Sequence, residues 1–233
     1  MRKGDLKRSS ILEMAEKLFF EKGYEQTSIQ DILDALSLSK GGFYHHFSSK
    51  EAILSEICEN RVISRLSHLK WELFGTRVSP IDKLNLLLRK VNLFDRDEAE
   101  FAALMVKVCY VDGDVRIREH MRSTVFSQLK VYVDDVIREG IESGDFFSRN
   151  PGQIGSIILG MVSEVNDTAL RILASKLENP ECVLEIIDCL NACRDAVETL
   201  LSAPFASVML FDPAKLITDY RAAAQEILKL EGK

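Results

Sequence analysis

The sequence has no long hydrophobic run. No stretch approaches the roughly 18 uninterrupted apolar residues that a membrane-spanning helix needs, and residues 1–10 are polar and basic, unlike a signal peptide. Membrane and secreted proteins are therefore disfavoured as classes. Because 46% of the 233 residues are hydrophobic, the chain can form a substantial core. We expect a folded, soluble protein in the cytoplasm with no membrane partner.

Short catalytic and metal-binding motifs are also missing. The sequence contains no phosphate-binding loop, no HExxH motif and no nucleophile elbow, and His68 and His120 are isolated. Cys182, Cys189 and Cys193 share one predicted helix face, but no CxxC pair or nearby histidine completes a metal site. We predict reduced cysteines, no cofactor, no metal and no enzyme activity. An all-helical enzyme remains the alternative from another class, and a redox role for a cysteine stays open.

Strand patterns are scarce, whereas apolar residues recur with the 3.6-residue period of a helix in almost every segment. The sequence therefore predicts an all-α protein with about nine or ten helices. Helix punctuation by Gly, Pro, Asn and Asp places the helices of the larger C-terminal part at residues 80 to about 94, 97–111, 114–143, 151–177, 180–201 and 212–230.

Four helix starts crowd into the first fifty or so residues. The predicted N-caps are Ser9 or Ser10, Thr27 in a capping box with Gln30, Ser39, and Ser48 in a capping box with Glu51. Basic residues Arg2, Lys3, Lys7 and Arg8 predict a basic arm before the first helix. The two short helices between residues 27 and 47 have the arrangement of a helix-turn-helix, whose second helix enters the major groove of DNA.

The second of these helices has an unusual composition for a solvent-exposed face. In the run SKGGFYHHF, Phe43 and Phe47 define the inward side, which leaves a lysine, two glycines, a tyrosine and two histidines outside. Each interior glycine costs a helix roughly 1 kcal/mol relative to alanine, so the adjacent pair indicates that something approaches the backbone closely. Lysine and tyrosine bind phosphates, and histidine and lysine reach base edges. Plain surface exposure of the histidines is the simpler alternative.

Residues 11–54 resemble the DNA-binding domain of the TetR family of transcriptional regulators. The matching features are Phe19, Gly23 and Tyr24 at the end of helix one, Thr27-Ser28-Ile29 at the start of helix two, the Ser39-Lys40-Gly41 turn, Tyr44, Phe47, and Ser49-Lys50-Glu51 at the start of helix four. The resemblance implies a DNA-binding domain at residues 1–52 and an effector-binding and dimerisation domain at residues 53–233. Gly42 departs from the family pattern, which usually has a small side chain there.

By the same resemblance, the DNA-binding residues are Thr27 and Ser28 for phosphate at the start of helix two, Ser39 at the turn, Lys40, Gly41, Gly42 and His45 for bases or the adjacent backbone, and Tyr44, His46 and Lys50 for phosphates. The implied partners are a palindromic double-stranded DNA operator, a second copy of the chain and an unidentified small-molecule effector.

The resemblance also implies a dimer interface on the last two long helices, for which the candidates are 151–177 and 180–201, with Ile154, Ile158, Met161, Ile186, Ile187, Leu190 and Val197. The alternative is that these helices complete the core of a monomer. The predicted effector pocket is formed by Leu104, Met105, Val108, Met121, Phe126, Gln128, Tyr132, Glu164 and Asn166, although such residues belong more often to a core. Glu164, Asp167 and Arg171 have the spacing of an exposed ion-pair cluster.

The predicted function is sequence-specific transcriptional regulation by a repressor that a small molecule releases from its operator. An activator or a constitutive DNA binder of the same fold is an open alternative. A protein-interaction adaptor that has lost DNA binding is disfavoured, because Lys40, Tyr44 and Lys50 are all in place.

Overall fold

The computed structural model describes residues 3–67, 73, 78–91, 99–112, 114–176, 179 and 182–230. Within these ranges the chain forms ten α-helices and no strand, which confirms the predicted all-α class. The helices are α1 (Lys3–Lys22), α2 (Ile29–Leu36), α3 (Lys40–Tyr44), α4 (Lys50–Ser67), α5 (Pro80–Val91), α6 (Ala99–Val106), α7 (Val115–Ser143), α8 (Pro151–Ser175), α9 (Cys182–Leu201) and α10 (Pro213–Leu230). One π-helical turn, Lys107–Val111, follows α6.

Most helix boundaries of the C-terminal part agree with the sequence pattern. Asp114 caps α7 through hydrogen bonds from the amides of Arg116 and Ile117. Helix α7 ends at Ser143, and its C-cap Gly144 has a φ of 84°, a left-handed conformation that favours glycine. Pro151 is the first residue of α8, where its missing N–H has no helical partner to lose. The boundaries predicted near residues 94, 97, 177 and 180 lie outside the described residues.

Three helix starts in the N-terminal part differ from the prediction. Helix α1 begins at Lys3, so Ser9 and Ser10 lie inside it rather than cap it. Helix α2 is capped by Ser28 in a capping box with Asp31, not by Thr27 with Gln30. Helix α4 is capped by Ser49, whose Oγ accepts a hydrogen bond of 3.2 Å from the Ala52 amide, so the prediction of Ser48 was also wrong by one residue.

Buried apolar side chains form two clusters. The larger one lies mainly among α5 and α7–α10, with α8 packed between α7 and α9. The smaller one is the core of the first four helices. We call these helices, α1–α4, the reading unit. This smaller core also contains side chains from α6, the π-helical turn and the start of α7, namely Phe101, Leu104, Met105, Val108, Cys109, Ile117 and Met121. The reading unit is therefore closed on one side by residues of the larger part.

Within the described part of the chain, no helix is long and apolar enough to cross a lipid bilayer.

Candidate functional site

The helix-turn-helix is built from α2, a tight turn and α3. Ser37 adopts a left-handed conformation with φ of 51° and ends α2. Ser39 then caps α3, because its Oγ accepts a hydrogen bond of 3.2 Å from the Gly42 amide. Phe43 and Phe47 are both buried in the smaller core and anchor α3 there. The predicted cap at Ser39 and the inward aromatic pair are thus confirmed.

The remaining surface of α3 is open to solvent. Lys40, Gly41, Tyr44 and His45 are exposed, and the Tyr44 side chain retains 55% of its accessible surface. Of the other predicted DNA-binding residues, Ser28 and Ser39 are exposed, and Gly42, His46 and Lys50 are partly buried. A short helix that is buried on its aromatic side and exposes a lysine, a tyrosine and a histidine on the other has the geometry of a recognition helix.

Thr27 does not belong to this surface. Only 1% of the residue is exposed, and its Oγ1 lies 2.8 Å from the Gly23 carbonyl oxygen and 3.1 Å from that of Leu18. The hydroxyl hydrogen is thus directed to the carbonyls at the end of α1, and the prediction that the Thr27 side chain contacts phosphate was wrong. Its role is structural, since it joins the last turn of α1 to the start of α2.

Lys50 has a structural role in addition to any contact with DNA. Its Nζ donates a hydrogen bond of 2.7 Å to the Tyr24 carbonyl oxygen and lies 3.4 Å from that of Glu25. The ammonium also stands 4.2 Å from the centroid of the Tyr24 ring, within range of a cation–π contact. The start of α4 is therefore fastened to the segment after α1, and phosphate binding by Lys50 stays a prediction.

Arg8 holds the reading unit together, although the sequence pattern placed it in a basic arm. Its guanidinium forms a bidentate pair with Glu56 on α4 and donates a hydrogen bond of 2.9 Å to the His46 carbonyl oxygen after α3. It also lies 4.5 Å from the centroid of the Phe47 ring. Sequence spacing gave no signal for these contacts, because the partners lie far along the chain. The prediction that Arg8 belongs to a separate arm was wrong.

A cavity of about 70 Å³ lies between α6, the π-helical turn, α7 and α8. Its wall consists of Met105, Val106, Cys109, Tyr110, Arg118, Met121, Arg122, Val125, Ser163, Asn166, Asp167 and Leu170. Turns of π-helix are rare and occur frequently at functional sites, which makes this location a candidate ligand site. We call the residues of the cavity wall the cavity region.

Three of the nine predicted pocket residues, Met105, Met121 and Asn166, line the cavity. The other six do not. Leu104 and Val108 are buried in the smaller core, Phe126 and Tyr132 pack against the larger core, and Gln128 and Glu164 are exposed. Helical periodicity identified the inward faces of these helices but not the small part of those faces at which packing leaves a gap.

The polar side of the cavity is centred on Asp167, which is 6% exposed. Tyr110 donates a hydrogen bond of 2.8 Å to its Oδ1, and Arg171 binds its Oδ2. Arg118 is more distant, with its Nε 3.9 Å from Oδ1. Burial, and secondarily the bond to Asp167, raises the pKa of Tyr110. The predicted pairing of Asp167 with Arg171 is present. Asp167 is buried rather than exposed, however, and the sequence pattern did not reveal its neighbours Tyr110 and Arg118.

Most residues of the predicted dimer interface are buried within the single chain. Ile154, Ile158, Ile186, Leu190 and Val197 are at most 6% exposed. They pack α8 and α9 into the larger core, so their assignment to a contact between protomers was wrong. Met161 and Ile187 are half-buried.

The outward side of the same helix pair carries different apolar residues. Ile157 on α8 is 48% exposed and Leu184 on α9 is 60% exposed. A Cβ built on the exposed Gly160 would meet nothing within 4 Å. This side of α8 and α9 therefore remains available for contact with another molecule.

The described residues contain no group of three or more His, Cys, Asp and Glu side chains arranged to hold a metal ion. Desolvation by burial raises the pKa of the Cys109 thiol to about 12 and that of Cys193 to about 11. Both thiols are consequently protonated at neutral pH.

Comparisons with known proteins agree with this geometry. Residues 11–57 match the family model described as bacterial regulatory proteins, tetR family. The HTH-type transcriptional repressor KstR2 of Rhodococcus jostii is 43% identical over 146 residues, which cover 61% of this chain and 69% of the relative.

Solved structures share the fold over most of the chain. A TetR-family regulator from Pectobacterium atrosepticum has a TM-score of 0.63 at 18% identity, over 88% of this chain and 99% of that one. A transcriptional regulator from Saccharomonospora viridis, in complex with choline, has a TM-score of 0.55 at 20% identity, over 84% and 98% of the two chains. Regulators of this kind bind DNA and form dimers. The chain belongs to the TetR family and is a helix-turn-helix, DNA-binding transcriptional regulator.

Proposed function

We propose that the chain is a homodimeric repressor that binds a palindromic operator through α3 of each protomer and leaves it when a small molecule enters the cavity. Residues 1–52 are its DNA-binding part and residues 53–233 its effector-binding and dimerisation part. It acts in the cytoplasm, where it meets the operator, and performs no catalysis. The relative from Rhodococcus jostii is named a repressor, and the Saccharomonospora viridis regulator holds a small molecule, which supports both halves of the proposal.

One observation carries the mechanism: the cavity and the reading unit share side chains. Met105, Cys109 and Met121 line the cavity and are also members of the smaller hydrophobic core. Met105 reaches α4 directly, because its Sδ lies 3.6 Å from the Sγ of the buried Cys58. A molecule that displaces these side chains therefore pushes on the reading unit without any intermediate element.

The size of the cavity makes such displacement necessary. A volume of about 70 Å³ is far below the roughly 300–1,000 Å³ of typical ligand pockets. An effector must enlarge the space, and the flexible side chains of Met105 and Met121 are the easiest to move. Close-packed cores transmit such strain rather than absorb it. The reading units of a dimer then lose the spacing of roughly 34–36 Å that places both recognition helices in successive major grooves.

The dimer contact that we propose uses the outward side of α8 and α9. Ile157 and Leu184 supply exposed apolar surface, Gly160 allows close approach of a second backbone, and the half-buried Met161 and Ile187 lie on the same two helices. Contact between equivalent faces of two protomers makes an isologous interface, which suits a palindromic operator.

The experiment is selection of fragments bound by the full-length protein from random duplex DNA, followed by a screen of small molecules for release of the recovered site. We expect a palindromic site and at least one compound that releases it. A site without two-fold symmetry would contradict the dimer mechanism. A reporter gene behind the recovered site tests the sign of regulation: loss of the protein should raise expression, and a fall in expression would identify an activator instead.

A further inference from the structure

We infer that the effector is a small monocarboxylate, with its anionic head at Arg118 and Arg122 and a compact apolar body against the methionines of the cavity. The inference rests on the proposed function, because it names the ligand class of the same cavity.

Arg118 is the first reason. Its side chain is 25% exposed and lies on the cavity wall. Its described contacts are the 3.9 Å approach to Asp167 and a position 5.5 Å from the centroid of the Tyr110 ring. Among the residues that the structure describes, it donates no hydrogen bond within normal distance. A partly buried guanidinium with five donors is thus available to an acceptor in the cavity.

Asp167 does not neutralise this charge fully, because it is already occupied. Tyr110 donates to one of its oxygens and Arg171 binds the other. Of the two arginines near Asp167, Arg118 is therefore bound more weakly than Arg171. A cationic ligand would instead have to compete with Arg171 for Asp167, which is an unfavourable exchange in a site of low exposure.

Arg122 adds a second cation to the same helix face, because residues four apart are neighbours on an α-helix. It pairs with Glu119 at 3.1 Å, but both side chains are well exposed, at 44% and 61%. Exposed pairs of this kind contribute little to stability, so a ligand can recruit Arg122 at little cost. Glu164, exposed on α8, and the buried Asp167 are the other carboxylates whose charges act on Arg122.

The chemistry of the wall then limits the ligand. A carboxylate accepts two parallel hydrogen bonds from a guanidinium and also carries a negative charge. Alcohols and amides are neutral and do not combine these two properties. The rest of the wall is apolar, with Met105, Val106, Cys109, Met121, Val125 and Leu170. Only a compact body enters the space of about 70 Å³, even after the methionines move.

The same placement connects the head of the ligand to the reading unit. Ile117, which precedes Arg118, is buried in the smaller core with α1–α4. A carboxylate that draws Arg118 into the cavity therefore pulls on the first turn of α7, while the apolar body displaces Met105 and Met121.

The test uses the full-length protein and the operator recovered from random DNA. Benzoate and butanoate are titrated beside benzamide, butanamide and choline, with binding measured by calorimetry and operator release by fluorescence anisotropy. We expect at least one carboxylate to bind tenfold or more tightly than its amide and to release the operator. Equal binding of acid and amide, or preference for choline, would overturn the inference.

Variants then locate the anionic head. Arg118→Gln should remove the preference for the acid, and Arg118→Lys should keep a reduced preference. The matched control is Arg138→Gln, on the exposed side of the same helix and paired with Asp135. If Arg118→Gln fails to fold, Arg118→Lys decides, and undiminished acid preference in that variant contradicts the assignment.

The two proposals fail in different ways. If no DNA sequence is selected, the proposed function is wrong. If an operator is bound but no carboxylate binds or releases it, only the ligand class is wrong.

Discussion

The reading unit and the cavity region hold their polar side chains in different ways. In the reading unit, capping hydrogen bonds of 3.1–3.2 Å close the starts of α2, α3 and α4: Ser28 with Asp31, Ser39 with Gly42, and Ser49 with Ala52. In the cavity region, Arg118 approaches Asp167 only loosely, beside a π-helical turn and an unfilled volume.

This difference indicates where each part can change. We expect a unit fixed by caps and by the Arg8 clamp to Glu56 to move as a rigid body, and a loosely paired arginine beside a gap to have alternative arrangements close in free energy. We therefore expect an effector to reposition the reading unit rather than to deform it. The predictions below test this contrast.

The largest expected effect is the contrast between aspartate substitutions at two adjacent residues of α8. Ile158 is 0% exposed, so Ile158→Asp places a charge in the larger core and should lower the free energy of unfolding by about 4 kcal/mol or more. Ile157 is 48% exposed, and Ile157→Asp should keep the fold but yield monomers with poor operator affinity. Urea denaturation and analytical ultracentrifugation distinguish the two outcomes. A dimeric Ile157→Asp variant would contradict the proposed interface.

The next largest effect concerns alanine substitutions at two lysines of the reading unit, which should differ in their influence on stability. Lys40→Ala should leave stability unchanged, lower operator affinity on the order of tenfold, and flatten the salt dependence by about two units of slope per dimer. Lys50→Ala should also lower the free energy of unfolding by about 1 kcal/mol, because the hydrogen bond to the Tyr24 carbonyl is lost. Lys229→Ala is the control, because Lys229 is an exposed lysine on α10 whose ion pair among the described residues is with Glu226 of the same helix. Equal stability of the two variants would show that the Tyr24 contact matters little.

The adjacent glycines of α3 give a smaller contrast. A methyl group at Gly41 meets nothing within 4 Å, so Gly41→Ala should stabilise the protein by about 0.4–1 kcal/mol. At Gly42 the new Cβ would lie 3.3 Å from Ser39 Oγ, the capping atom, and the gain should be smaller or absent. Thermal denaturation measures both. Operator affinity should fall for Gly41→Ala, since the exposed backbone allows close approach of DNA. Equal gains in stability would mean that the cap adjusts freely.

The smallest effect concerns the capping box of α2. A hydrogen bond from Lys22, together with those from Ser28, holds the pKa of Asp31 well below its usual range. A carboxylate with a lowered pKa adds stability above its unfolded value of roughly 4, and that stability is lost as the pH falls through the folded pKa. The difference in Tm between wild type and Asp31→Asn should therefore shrink below about pH 4. Asp34→Asn on the same helix is the control, and a difference independent of pH would contradict the assignment.

Several local features of the fold could be predicted from sequence because they depend on neighbours in the chain, although the caps of α2 and α4 were each misplaced by one residue. The all-helical class, the Ser39 cap, the Asp114 boundary and the Phe43–Phe47 anchor follow from periodicity and capping chemistry. The exposed surface of α3 follows from the same pattern.

The tertiary features could not be predicted in the same way. The Arg8 clamp, the burial of Thr27 and the pairing of Tyr110 with Asp167 join residues whose meeting depends on how helices pack. Periodicity shows that Ile158 faces inward, but it does not state whether the neighbour is the same chain or a second copy. The interior of a protomer and a dimer seam have the same apolar signature, which explains the wrong interface residues.

The smaller core has a consequence for engineering. Regulators with new operators are often sought by joining the DNA-binding segment of one protein to the sensor of another at a sequence boundary. Here such a junction near residue 52 would separate Ile53, Ile57 and Cys58 from the helices that they complete, and would also remove Met105 and Ile117 from the same core. A working chimaera should transfer all of these core residues together, so that its junction is chosen by the contacts of the smaller core and not by position in the sequence.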